Sequence, residues 1–495
     1  LPQSVLHRPV CDLLDCRLPL VLAGMGGVAR SELVVAVTEA GGFGFLGMVR
    51  EPPELIRAEC LAVRARTQRR FGVNLIPAAT NPELLHEQIR TCIDLEVSVV
   101  CLFWDLALDA VQALRAANIV VACQVGSVDE AKAAQGAGAQ IVVAQGREAG
   151  GHVRGHRPRD ELLVEVLCAV GVPVLAAGGI VDGADVARVM ALGAQGAMLG
   201  TAMIATPESF AHRYHKDRIV AAHEGEARLT DAFHINWPPG APTRALENSV
   251  IRRERGNLFH SDRVVIGHDG DRPIYLFSTD SPLRSMTGDF EAMALYAGEG
   301  ASRIQEVQPA ADRLTMIASD AAKLLSVTLA APVERVELSS PVCYIQEFAA
   351  SYLDLASDGE VVAALNELLE AERAGARVAM GLAKDVADPA LKLLAEAIRR
   401  DEVRWCGVLM RAILVIDGVP SSRTGDFYAK AAAIEDVQQR MRYLNRGQGW
   451  VVRRLQALIP RLVEGRTQDE LAQMLAAHAE NIEMVNAFLG GLRRG

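Results

Sequence analysis

The sequence predicts an α/β protein: a (β/α)8 TIM barrel over residues 1–331, then an all-α, four-helix-bundle-like domain over 332–495. Three observations predict it. Eight short apolar runs recur through the first 200 residues, several ending in glycine or a polar turn. Segments with helical spacing, such as Ser31–Glu39 and Val128–Gln135, lie between them. From about Asp358 the pattern changes to long apolar-periodic stretches with charged outer faces.

The runs are Leu18–Ala23, Phe43–Leu46, Phe71–Leu75, Val97–Phe103, Ile119–Cys123, Gln140–Ala144, Pro173–Ala177 and Ala197–Leu199. Eight alternations are what a closed barrel requires. The alternative is an open doubly wound sheet, whose first strand should lead into a dinucleotide fingerprint. The first turn here, Gly24-Met25-Gly26-Gly27, lacks that spacing. Residues 206–249 read as helices and a closing loop broken at Pro238-Pro239-Gly240, and Arg252–Asp289 as a turn-rich excursion near the mouth. Ala294–Leu325 returns to helical periodicity, and the Pro332 neighbourhood marks the expected domain boundary.

In the last third, helices are expected at Glu360–Lys384, Pro389–Asp417, Ile434–Leu462 and Gln468–Leu492, with short connections. Glu372, Glu402 and His478 fall in register with apolar positions of their helices, so polar groups should meet inside the bundle.

Composition narrows the function. A chain of 495 residues, half of them hydrophobic, is long enough for two large cores. A net charge of −10 without a basic patch argues against a nucleic-acid binder. Nine cysteines without CxxC pairs or metal-ligand spacing suggest free thiols and a cytoplasmic location. No apolar run is long enough to span a bilayer, so no membrane role is expected. Leu1–Val10 carries no leader pattern, and without an initial Met the chain is expected to be trimmed.

In a barrel the loops after the strands share one face. That face would collect Gly24, Met25, Gly26, Asn74, Gln124, the stretch Gln145–His152, Gly178-Gly179 and Gly200-Thr201. Glycines after the last two strands stand where barrels commonly hold a phosphate. One phosphate is implied, and Asn74 and Gln145 suit the edge of a heterocycle, so the expected cofactor is FMN. His152, just past Gly150-Gly151, is the candidate proton carrier. Met25 reads either as a plug of the mouth or as a flavin contact, Gln124 as a polar strand end, and Trp104-Asp105 as packing or pocket wall. Arg154, His156 and Arg157 read as a solvated loop, and His212, His215 and His223 as surface residues of an amphipathic helix.

Gln145-Gly-Arg-Glu-Ala-Gly-Gly-His152, Ala176-Ala-Gly-Gly-Ile180 and Gly196-Ala-Met-Leu-Gly-Thr201 together resemble the nitronate monooxygenase family, formerly 2-nitropropane dioxygenases. Phe71-Gly-Val-Asn-Leu75 and Ala294-Leu-Tyr-Ala-Gly298 fit the same pattern, and the resemblance covers roughly the first two-thirds of the chain. It departs at Met198 and Gln140, where the family often has Gln and Asp. The resemblance implies an FMN enzyme with His152 as catalytic base. Gly24, Met25, Gly26, Asn74, Gln145, Gly150, Gly151, Gly178, Gly179, Leu199, Gly200 and Thr201 would hold the cofactor. It also implies a small-molecule substrate and O2 as reactants, and a homo-oligomer is expected. An FMN-dependent enoyl-thioester reductase using NAD(P)H is the nearest alternative. A non-catalytic flavin-binding scaffold with a partner-binding bundle is the other.

The last third weakly resembles the ferritin-like superfamily, whose carboxylates and histidines bind two metals. Its Glu-x-x-His pairs are broken here: Trp405 stands three after Glu402, Leu475 three before His478, and Gln448 replaces a carboxylate. The expectation is therefore a buried hydrogen-bonded cluster and no metal.

Overall fold

The computed structural model describes residues 5–330 and 356–491, apart from residues 239, 257–262, 387, 417, 422, 425 and 464. The predicted boundary at 331/332 lies outside the described residues. The described chain divides into two compact units, one essentially before Ser326 and one essentially after it.

In the first unit, all eight apolar runs become parallel strands. They are β1 (Leu20–Leu22), β2 (Phe43–Gly47), β3 (Gly72–Leu75), β4 (Val99–Phe103), β5 (Val120–Val125) and β6 (Ile141–Gln145), then β8 (Val174–Ala177) and β9 (Gly196–Leu199). They pair in chain order, and β9 closes on β1 with Leu20 opposite Ala197. These strands are buried on both faces, which is why they read as continuous apolar runs rather than alternating ones. Alternate residues such as Val21, Phe43, Phe45, Val143 and Met198 share one buried cluster, and the helix Pro9–Leu14 adds Val10 and Leu14 to it. Truncating a filled position such as Phe45 to Ala would cost about 3–5 kcal/mol.

Two antiparallel sheets depart from the sequence reading. β7 (Gly151–His152) pairs with β11 (Thr243–Leu246), which pairs with β10 (Ala227–Thr230). The stretch expected to be helices and loop thus includes two strands, together with the helix Arg213–Val220. The turn-rich excursion holds β12 (Val265–Asp269), β13 (Arg272–Tyr275) and β14 (Met286–Gly288) in the order β13-β12-β14. These strands are short, partly exposed and rich in Arg, Thr and Gly, so neither period stands out in the sequence. Helical periodicity returns at Ala310–Ala330.

The second unit holds four long helices: Asp358–Asp385, Pro389–Val415, Val437–Leu458 and Arg466–Gly491. Each of the first three starts on a side-chain cap, and Ser357 with Glu360 forms a full capping box. Val378, Leu382, Ile398, Leu444 and Val485 build a common core across all four. The connection between the second and third helices is not short as predicted, and contains a helix of its own, Phe427–Ala432. Asp417 and Leu492, taken as helix ends, lie outside the described residues. Among the described residues no helix is long and apolar enough to cross a membrane.

Candidate active site

A cavity of about 1330 Å³ opens at the carboxyl ends of the barrel strands. That exceeds the roughly 300–1,000 Å³ of ordinary small-molecule sites, leaving room for a cofactor and a substrate together. Gly24, Met25, Gly26, Asn74, Gln124, Gln145, Gly150, Gly151, His152, Gly178, Gly179, Gly200 and Thr201 all line it. One expected residue does not. Leu199 is fully buried in β9, and Met198 lines the cavity in its place. Side chains alternate along a strand, so the two neighbours cannot both face inward.

A tight glycine turn follows β8 on the cavity wall. Gly178 (φ 108°) and Gly179 (φ 66°) occupy the left-handed region that only glycine enters freely. The Gly178 carbonyl accepts from Arg159 and the Gly179 carbonyl from Arg303. In a planar trans peptide the next amide N–H points the opposite way, so those of Gly179 and Ile180 are turned away from the two guanidiniums. A Cβ on Gly200 would meet only Ala23 and Met25 at 3.9 Å, and Thr201 Oγ1 accepts from the Gly298 N–H at 2.9 Å. These residues fit a single phosphate held by backbone donors. Asn74 packs so tightly on Gly24 that a Cβ there would lie 2.1 Å from its own.

His152 is held from both sides. Its backbone pairs with Thr243 through β7 and β11, and its ring stacks on Trp237 with centroids 3.3 Å apart. Trp104 and Tyr296 complete the enclosure at 6.2 and 5.5 Å. The residue is half-buried and lines the cavity, while Nε2 itself is buried without a hydrogen-bond partner. Burial, and then the charge of Arg50, push the imidazole down to about 3. The group is therefore neutral, in its proton-accepting form, across the physiological range.

Gln145 lines the cavity as expected and also makes two contacts that its sequence did not suggest. Its Nε2 donates to the His152 carbonyl at 2.9 Å, and its Oε1 accepts from the Arg154 N–H at 3.0 Å. The amide expected at a heterocycle edge thus also braces the loop that carries His152. Arg154 is not simply solvated either: it pairs with Glu130 at 2.8 Å and covers the Trp104 ring at 5.1 Å. His215, read as a surface residue, is fully buried, with Nε2 3.0 Å from the Tyr296 carbonyl oxygen. The polar average of its helix conceals that its own face is turned inward.

Sequence reasoning missed Arg50, Trp237 and Thr279 and passed over Tyr296. Arg50 follows β2, lines the cavity, and donates to the Asn236 carbonyl at 3.0 Å and to Thr279 Oγ1 at 3.4 Å. Arg50 (φ 56°), Trp104 (φ 69°) and Asn236 (φ 70°) all hold left-handed backbone without being glycine. Such strain costs about 1–3 kcal/mol each and clusters where function demands it. Tyr296 donates to the Thr279 carbonyl at 3.0 Å, and it lies inside the quoted motif Ala294–Gly298.

A family model described as nitronate monooxygenase matches residues 7–320. The chain belongs to the nitronate monooxygenase family. It is accordingly an oxidoreductase that works with a flavin, and the glycine turns and the enclosed histidine fit such a cofactor. A second model, described as a domain of unknown function (DUF6306), matches residues 359–487. The chain is 31% identical to a "Probable nitronate monooxygenase" of Staphylococcus haemolyticus, over 51% of this chain and 82% of that protein. It is 28% identical to one from Staphylococcus aureus strain Newman, over 60% and 93%. Among solved structures, FabK from Thermotoga maritima aligns with a TM-score of 0.56 at 28% identity, over 64% of this chain and 96% of that one. A nitroalkane oxidase from Streptomyces ansochromogenes aligns at 0.53 and 30% identity, over 64% and 99%.

Proposed function

We propose that the barrel binds FMN and oxidises nitronates or nitroalkanes with dioxygen, giving a carbonyl compound and nitrite. The observation that carries this reading is the unpartnered Nε2 of a neutral His152 in the wall of a cavity that the Gly178-Gly179 and Gly200 turns also line.

Gly178-Gly179-Ile180 and Gly200-Thr201 would hold the phosphate, with Met25 and Asn74 beside the rest of the cofactor. When bound, FMN supplies the redox step, taking electrons from the nitronate and passing them to dioxygen. His152 takes the acidic proton from the carbon bearing the nitro group, or orients a nitronate already formed. Arg50 faces the anion that results, and its fixed charge needs no rearrangement as that anion forms. Trp104 and Trp237 keep water from the reacting carbon and hold the imidazole plane still.

The enoyl-thioester reductase alternative is separated by anaerobic mixing of the flavin-loaded protein. Bleaching of the flavin by a nitronate and not by NADH or NADPH is the expected result. Bleaching by a nicotinamide, with none by nitronate, would assign the barrel to the reductase. A flavin that neither reduces would leave a non-catalytic scaffold.

A further inference from the structure

The four helices of the second unit each send one polar side chain to the same buried place. Glu372 comes from the first, Glu402 from the second, Gln448 from the third and His478 from the fourth, and none is more than 3% exposed. His478 Nε2 lies 3.0 Å from Glu372 Oε1, and Gln448 Nε2 donates to Glu402 Oε1 at 3.2 Å. Candidate ligand atoms of the two glutamates and the histidine all lie within 4.8 Å of one another.

Three features point to a ligand rather than to a closed hydrogen-bond network. His478 Nδ1 lies 3.1 Å from the Met474 carbonyl oxygen, which can only accept, so Nδ1 carries the proton. Nε2 is thereby left to face Glu372, and loss of its proton to an incoming cation would give the tautomer and orientation that metal-binding histidines adopt. Second, Gln448 Oε1 is buried with no donor among the described residues, and Glu372 Oε2 has one only when a proton is shared with the adjoining Glu402 carboxyl. A buried acceptor left unpaired is costly, and protonating a carboxyl supplies at most one donor per group. Third, a Cβ on Gly375 would lie 2.4 Å from Glu402 Oε2, so that glycine leaves space for the carboxylate.

We propose that Glu372, Glu402 and His478 bind a single divalent first-row cation of the Mn2+, Fe2+ or Zn2+ kind, with Gln448 orienting Glu402. Two carboxylates and a neutral imidazole carry the charge that one divalent ion cancels, leaving a neutral buried assembly. Small side-chain shifts bring the three ligand atoms to the usual 2.0–2.2 Å. Among the described residues a single three-residue group of ligand atoms gathers here, and Trp405 and Leu475 stand at the spacings where a second ion's Glu-x-x-His partners would be needed. This replaces the metal-free expectation drawn from the broken Glu-x-x-His pairs, which excludes two ions but not one.

The test uses full-length, flavin-loaded protein stripped with chelator and dialysed. Mn2+ is titrated while the free-ion EPR signal is followed, with Zn2+ as competitor. One equivalent should bind per chain. Glu372→Gln, nearly isosteric, should weaken binding at least tenfold, and His478→Ala at least as much, with flavin absorbance and helical circular dichroism unchanged. If His478→Ala fails to fold, Glu372→Gln decides alone. Absence of binding of both ions by folded wild-type protein up to millimolar concentration would overturn the proposal in favour of a protonated network. So would binding that Glu372→Gln leaves unchanged, or two equivalents lost together. None of these results depends on what the barrel oxidises.

Discussion

Gln145→Leu is the substitution that best separates the sequence reading of this site from the structural one. The side chain keeps its approximate volume and loses both polar contacts. The His152 carbonyl then lacks its donor at 2.9 Å, and the Arg154 N–H its acceptor at 3.0 Å. Each deserted, partly buried group costs about 1–3 kcal/mol, roughly 2–6 kcal/mol for the loop as a whole, enough to release it. A displacement of about 1 Å at a catalytic group lowers rate on the order of 100-fold, equal to about 2.7 kcal/mol of lost transition-state stabilisation. The assay is kcat/KM per bound flavin, measured with a neutral nitroalkane and with its preformed nitronate. The nitroalkane, which needs the imidazole to remove a proton, should lose about 100-fold. The nitronate should lose much less, and flavin content should hold. Loss of flavin with turnover per flavin intact would refute the reasoning and return Gln145 to the cofactor. Rates within threefold of wild type on both substrates would deny it either role.

Other outcomes follow from the same geometry. His152→Asn should retain flavin and slow nitroalkane turnover by about 10²–10⁴-fold, read by steady-state kinetics on both substrate forms. Because burial lowers the His152 pKa to about 3, its proton-accepting form persists as pH falls. The pH profile of kcat/KM should therefore show no acid limb near the ordinary histidine value, and a limb near 6.5 that His152→Asn abolishes would contradict this. Gly179→Ala forces a side chain into left-handed backbone, with its Cβ 3.0 Å from that of Glu148, so flavin retained on gel filtration should fall sharply. In metal-free protein, burial holds the Glu372 and Glu402 carboxyls well above their usual range. The folded state then keeps protons the unfolded chain releases, so this contribution to stability falls as pH rises above about 4.3. Glu402→Gln should flatten that slope by up to about 1.4 kcal/mol per pH unit, measured by urea unfolding between pH 5 and 8.

The amino-acid order alone determined the two architectures and brought the glycine turns and His152 to the cavity wall. Strands buried on both faces announce themselves as apolar runs, and glycines at their ends mark turns that other residues enter only at a cost. The long helices were equally plain, because a capped stretch with one apolar stripe has few other folds available. Even the inward register of Glu372, Glu402 and His478 could be read, since helical periodicity assigns each residue to its own helix face. Periodicity carries no information about which face meets which. That Trp237 stacks on His152, that Arg50 reaches the same cavity, and that Gln145 is tied to the His152 loop are contacts between segments whose local patterns are silent about one another. The two-residue strand Gly151–His152 shows the limit most clearly: it is too short to have a period, and only its pairing with Thr243 and Arg244 makes it a strand. Likewise the pairing of His478 with Glu372, and of Gln448 with Glu402, exists only once the helices have packed against one another. A hydrogen-bond partner is chosen in three dimensions, whereas burial of a residue's own face is written along the chain.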